Sequence, residues 1–217
     1  MTPGRPAFDE APPAATTLVS DFADPMAWEM ETVPDTYLET YAEDLPNAMG
    51  KFSLSAVQDD EKGACAEMAL AAQPGVPRIV ARYVGLKLRN PVTVQGEVSR
   101  LGLWVKGNSC WGRVYFEFTD ARGEKYFSAC DETSGWDVSD WMGRSAINFD
   151  GWCFVSLEIP KRYPGGFHGP RDRDWSYRGG DGDGVVQFPL TVSRIVVAMR
   201  DSQVYVKDMV PSTGGTI

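Results

Sequence analysis

Apolar and polar residues alternate with period two through most of this chain, the spacing that sets one face of a strand in a core and the other outside it. Leu101, Leu103 and Val105 alternate with Gly102, Trp104 and Lys106. Val114, Phe116 and Phe118 interleave with Arg113, Tyr115, Glu117 and Thr119. Cys153, Val155, Leu157 and Ile159 share a face opposite Trp152, Phe154, Ser156 and Glu158. Towards the C-terminus, Val204, Val206, Asp208 and Val210 oppose Tyr205, Lys207 and Met209. The Ala-rich run 65–72 is short and bracketed by Gly63 and Pro74, so it reads as another strand. Helical spacing is confined to residues 35–44, where Pro46 would stop a turn or two. Asp120-Ala121-Arg122-Gly123 is a hairpin turn whose glycine can take a positive φ. About nine to twelve short strands with Gly and Pro punctuation predict an all-β fold, a two-sheet antiparallel β-sandwich. It occupies residues 18–211, after a Pro/Ala-rich linker (1–17) and before a short tail (212–217).

A chain of 217 residues suits one large β domain, and a 43% hydrophobic, 12% aromatic composition supplies its core. The formal net charge is −9, from 30 acidic against 21 basic residues. That balance argues against a nucleic-acid partner or an anionic membrane, both of which require a basic surface. No stretch reaches the ~18 apolar residues of a membrane span. The N-terminus has neither the basic nor the apolar region of a signal peptide. Cys65, Cys110, Cys130 and Cys153 contain no C-x-x-C pair, which argues against a zinc ribbon or thioredoxin-type site. Their even number permits two disulfides, and buried thiols are the equal alternative.

Two segments, 131–150 and 160–189, break the alternation, and most of the candidate chemistry falls in them. Trp28, Trp104 and Trp152 lie in or beside strands and are expected to pack in the core or on a sheet face. Trp111, Trp136, Trp141 and Trp175 instead adjoin Gly, Ser or Asp where loops or strand ends are expected. Such indoles either anchor their own loops or stack on sugar rings. Residues 161–180 carry five cations (Lys161, Arg162, Arg171, Arg173, Arg178) against Asp172 and Asp174, beside the sole histidine, His168. Arginine forks at 171, 173 and 178, interleaved with Trp175 and Tyr177, suit the carboxylates or sulfates of an acidic polysaccharide. An internally salt-bridged loop is the plainer alternative. Asp208, on an apolar strand face, calls for a partner, and a cation would serve; a place at the rim, solvated or paired with Lys207 or an arginine, is the alternative. Catalysis is poorly supplied. One histidine excludes a multi-His zinc site, no nucleophile motif is present, and adjacent acids such as Glu29/Glu31 do not make a pair across a cleft. The chain is therefore read as no enzyme.

Four segments resemble known strands in order. LVSDFADPMAW (18–28), LGLWVKGN (101–108), FDGWCFVSLEIP (149–160) and VSRIVVAMRDSQVYVKDMV (192–210) are similar to the opening, middle and closing strands of carbohydrate-binding modules of the galactose-binding-like jelly-roll class. The resemblance implies a non-catalytic module that binds a polysaccharide or oligosaccharide, tethered to a polysaccharide-degrading catalytic domain and working outside the cell or at its surface. It also implies a structural Ca²⁺ joining the first and last strands through Asp208, with Asp24 and a carbonyl near Gly63 as companions. An assembly domain, or a polysaccharide-cleaving enzyme on the same fold, are the rival readings.

Overall fold

The computed structural model describes residues 15–31, 51–71, 74, 82–110, 112–128, 146–147, 149–159, 176–179, 185–199 and 214–216. As the alternation predicted, these are nearly all strand. One short 3-10 segment, Pro25–Ala27, interrupts them, and no α-helix occurs among the described residues. The first sheet runs in the order β1 (Trp28–Glu31), β4 (Arg82–Val94), β11 (Leu190–Met199), β6 (Gly112–Thr119), β7 (Lys125–Phe127) and β10 (Ser176–Gly179). A two-residue strand, β8 (Ala146–Ile147), pairs with the start of β6. The second sheet runs β2 (Lys51–Asp59), β3 (Gly63–Ala71), β12 (Gly214–Thr216), β5 (Arg100–Asn108) and β9 (Asp150–Glu158). Every pairing is antiparallel.

The period-two residues build one core between the sheets. Val84, Leu86 and Leu88 of β4, Val114, Phe116 and Phe118 of β6, and Ile195, Val197 and Met199 of β11 come from the first sheet. Met68 and Leu70 of β3, Leu101, Leu103 and Val105 of β5, and Cys153 and Val155 of β9 meet them from the second. Burying each large aliphatic or aromatic side chain contributes about 1.5–3 kcal/mol relative to leaving it in water. Cys65, Cys110 and Cys153 are reduced, buried thiols, so at these three positions the disulfide alternative is set aside. Burial pushes the Cys65 and Cys110 thiols up, away from the reactive thiolate.

Local side-chain chemistry fixes the connections. Ser20 Oγ, Asp21 Oδ1 and Asp24 Oδ1 each accept the N–H two residues on, from Phe22, Ala23 and Met26. This series holds Phe22 at φ 55° and stacks its ring on buried Trp28, 4.7 Å between centroids and 7° from parallel. The expected hairpin turn is present, with Gly123 at φ 85°. Asp120 accepts N–H bonds from Arg122 and Glu124 within that turn and from Gln187 on a distant segment, so one carboxylate joins two loops.

The first sheet departs from the half-buried pattern. Every residue of β6 from Gly112 to Phe118 is buried, including Arg113, Tyr115 and Glu117 on the face turned away from the core. In β11 the pairing slips between Val192 and Arg194 against both neighbours. A bulge of this kind reverses which face a strand presents, and here it turns Arg194 outward while Ile195, Val197 and Met199 enter the core.

Candidate functional site

Trp111, Trp136, Trp141, Trp175, Arg171, Arg173 and Asp208 lie outside the described residues. Tyr177 and Arg178 belong to β10 at the edge of the first sheet, where the backbone of Tyr177 is in register with Tyr126 of β7. Asp24 caps the 3-10 segment, its Oδ1 2.9 Å from the Met26 nitrogen, and its side chain is exposed. Gly63 opens β3 at φ 77°. Among the described residues no three acidic, His or Cys side chains converge to hold a metal.

The side chains that do converge are on the outer face of the second sheet. β5 and β9 are neighbours in register, so Trp104 sits opposite Phe154 and Lys106 opposite Trp152. The Trp104 and Phe154 rings are 5.5 Å apart and tilted by 56°. Glycine at 102 makes this possible: a Cβ there would lie 2.6 Å from the Phe154 ring and 2.8 Å from Ser156 Cβ. Trp104, Trp152 and Phe154 are half-buried. Lys62, in the β2–β3 turn, reaches across so that its Nζ stands 3.6 Å above the Trp104 ring.

Asp59, the last residue of β2, ties these groups together. Its Oδ2 is 2.5 Å from Lys106 Nζ, and its Oδ1 accepts from Trp152 Nε1 at 3.0 Å. The same Oδ1 accepts the backbone N–H groups of Glu61 and Lys62, which fixes the turn that carries Lys62. The Lys106 ammonium first, then these backbone donors and the Trp152 indole, hold the Asp59 carboxyl well below the usual carboxylate range. Lys106 is raised in turn, chiefly by its bond to Asp59. A depressed folded-state value means that the stabilisation is complete above the ordinary value of 3.8 and is lost as the pH falls through the folded one. For Lys106 it is complete below the ordinary 10.5 and is lost as the pH rises through the raised value. Asp59→Asn is therefore expected to melt earlier than the parent chain between those limits, with the gap closing in acid. A gap that stays constant in melts taken far below pH 3.8 would contradict this.

A second group of polar side chains lies on the outer face of the first sheet. Tyr83 and Arg113 flank Ala198 in register, and Gly85 and Tyr115 flank Val196. One row further, Arg194 binds Glu31 of β1 at 2.8 Å through Nη1 and Glu117 of β6 through Nη2. Tyr83, Arg113, Tyr115 and Glu117 are each no more than 5% exposed. These side chains are more deeply buried than Trp104, Trp152 and Phe154 on the second sheet, which are half-buried. No protein-family model matches the chain, and neither a curated protein nor a solved structure matches it.

The sequence points to core or sheet-face packing for Trp104 and Trp152, shows Asp59 only as one of the adjacent acids Asp59/Asp60/Glu61, and carries no site signal for Phe154 or Lys62. The usable signal was the alternation itself, which placed Trp104 with Lys106, and Trp152 with Phe154, on the faces away from the core.

Proposed function

We propose that this chain is a non-catalytic glycan-binding module of the jelly-roll kind, with its ligand on the outer face of the five-stranded sheet. The observation that carries the reading is the half-buried group of Trp104, Phe154 and Trp152 on two adjacent strands, bordered by Asp59 and Lys106. Aromatic faces take the C–H side of a pyranose, and charged groups at their rim exchange hydrogen bonds with its hydroxyls. Two rings tilted by 56° form a corner rather than a plane. A corner suits a single soluble chain better than the flat surface of a crystalline polysaccharide. The resemblance to galactose-binding-like modules supports the same reading, and under it the chain serves a polysaccharide-degrading catalytic domain outside the cell. Such contacts are individually small, so affinity in the micromolar to millimolar range is expected unless several modules act together.

Native gels cast with soluble polysaccharides test this. Xylan, galactomannan, hydroxyethylcellulose and polygalacturonate form the panel, and at least one is expected to retard the protein. Unaltered mobility in all four would sink the reading, and it is the result an assembly domain would give.

The buried Tyr83, Arg113, Tyr115 and Glu117 group favours a second reading, a polysaccharide-cleaving enzyme that uses the other sheet. Its requirement is that substrate reach side chains only a few per cent exposed. Release of unsaturated or reducing ends from the same panel would establish it in place of the first.

A further inference from the structure

We propose that Lys62 is a displaceable cap on Trp104 and that the ligand displacing it is a neutral glycan, an inference that rests on the glycan reading above. The ammonium stands 3.6 Å over the ring centroid, where a stacked pyranose would have to lie. Sugar and ammonium therefore exclude each other. The backbone under Lys62 is fixed, because Asp59 Oδ1 accepts its N–H at 3.0 Å and that of Glu61 at 2.9 Å. Four methylenes beyond that fixed point leave the head group able to swing aside. Its one ion-pair partner among the described residues, Glu61 Oε1, is 3.8 Å away, and both side chains reach solvent, so this pair holds it weakly.

The charge around the cap decides the class of ligand. Lys106 is committed to Asp59, whereas Lys62 is held only loosely, over the indole and beside Glu61. Asp60 and Glu67 are exposed acids on the same hairpin, and Asp60 lies close enough to act on Lys106 through its charge. A uronate or sulfate arriving at Trp104 could recruit Lys62, but it would face the exposed acids Asp60, Glu61 and Glu67, while Arg100, the next cation on this face of β5, already donates to Ser156 Oγ at 3.2 Å. An uncharged sugar meets no such repulsion and has only to outcompete a solvent-exposed cation–π contact. Removing that contact is worth about a two- to fivefold change in affinity.

Calorimetric titration of the full chain with the retarding neutral polysaccharide, and with polygalacturonate, tests the proposal through three variants. Lys62→Ala is expected to tighten neutral-glycan binding about two- to fivefold, with little salt dependence. Lys62→Arg, which keeps a cation over the ring, is expected to bind no more tightly than the parent. Unchanged or weakened neutral-glycan binding by Lys62→Ala would overturn the cap. Tighter binding of polygalacturonate than of any neutral chain would overturn the ligand class. Trp104→Ala separates the two levels: if it leaves binding intact, the site itself is misplaced, whereas its failure to bind beside an inert Lys62→Ala removes only the cap.

Discussion

Arg194→Met is expected to lower stability by about 3–5 kcal/mol, the cost of removing one partner from a buried ion pair. Arg194 is 8% exposed and Glu117 5%, so little water is available to replace the guanidinium. Three strands depend on it, because Nη1 binds Glu31 on β1 and Nη2 binds Glu117 on β6 from a residue on β11. The strand crossed on the way to β1 is β4, where glycine at 85 leaves room. A Cβ at that position would lie 3.1 Å from Glu31 Cγ and 3.2 Å from Arg194 Cδ. In a domain of this size, the loss translates into a melting temperature lower by roughly 10 °C. Arg194→Met/Glu117→Met should recover much of it, since the uncompensated charge is then absent. The exposed pair Arg89–Glu29, at 3.9 Å, supplies the contrast, and Arg89→Met is expected to cost no more than about 1 kcal/mol. A melting point for Arg194→Met close to that of the parent chain would contradict the network's role.

Trp104→Ala is expected to weaken glycan binding about 30-fold, the consequence of losing roughly 2 kcal/mol at a central aromatic anchor. The fold should survive this change better than the loss of Trp28. Trp104 is half-buried on the outside of a sheet, whereas Trp28 is buried in the core under the Phe22 ring. Parallel melts and gel-retardation measurements on Trp104→Ala and Trp28→Ala separate binding from folding. Equal retardation by the parent and Trp104→Ala would remove this residue from the site.

Period-two patterning made the all-β fold legible because a strand needs only local alternation to declare which face is apolar. The 65–72 strand and the 120–123 turn followed from the same local rules. What lay beyond local rules was strand order. Trp104 and Phe154 are 50 residues apart, and they meet only because β9 pairs with β5 while the strands between them join the other sheet. Lys62 belongs to a third strand connection and enters through the reach of its side chain. The polar face of β6 was missed for a different reason. Arg113, Tyr115 and Glu117 give the same alternating signature whether that face meets water or is covered, so burial on both sides leaves no trace in the pattern. Arg194 was hidden by its bulge, because strict alternation from Leu190 and Val192 would have placed it in the core. The loop residues singled out at 111, 136, 141, 171, 173 and 175 lie outside the described residues, as does Asp208.

Indole N–H resonances provide the most direct measurement of where a sugar binds, since each of the seven tryptophans reports separately. Titrating ¹⁵N-labelled chain with the retarding polysaccharide is expected to move the Trp104 and Trp152 signals together while Trp28 stays in place. Shifts confined to other indoles, with Trp104 and Trp152 unmoved at saturation, would contradict a ligand site on the five-stranded sheet.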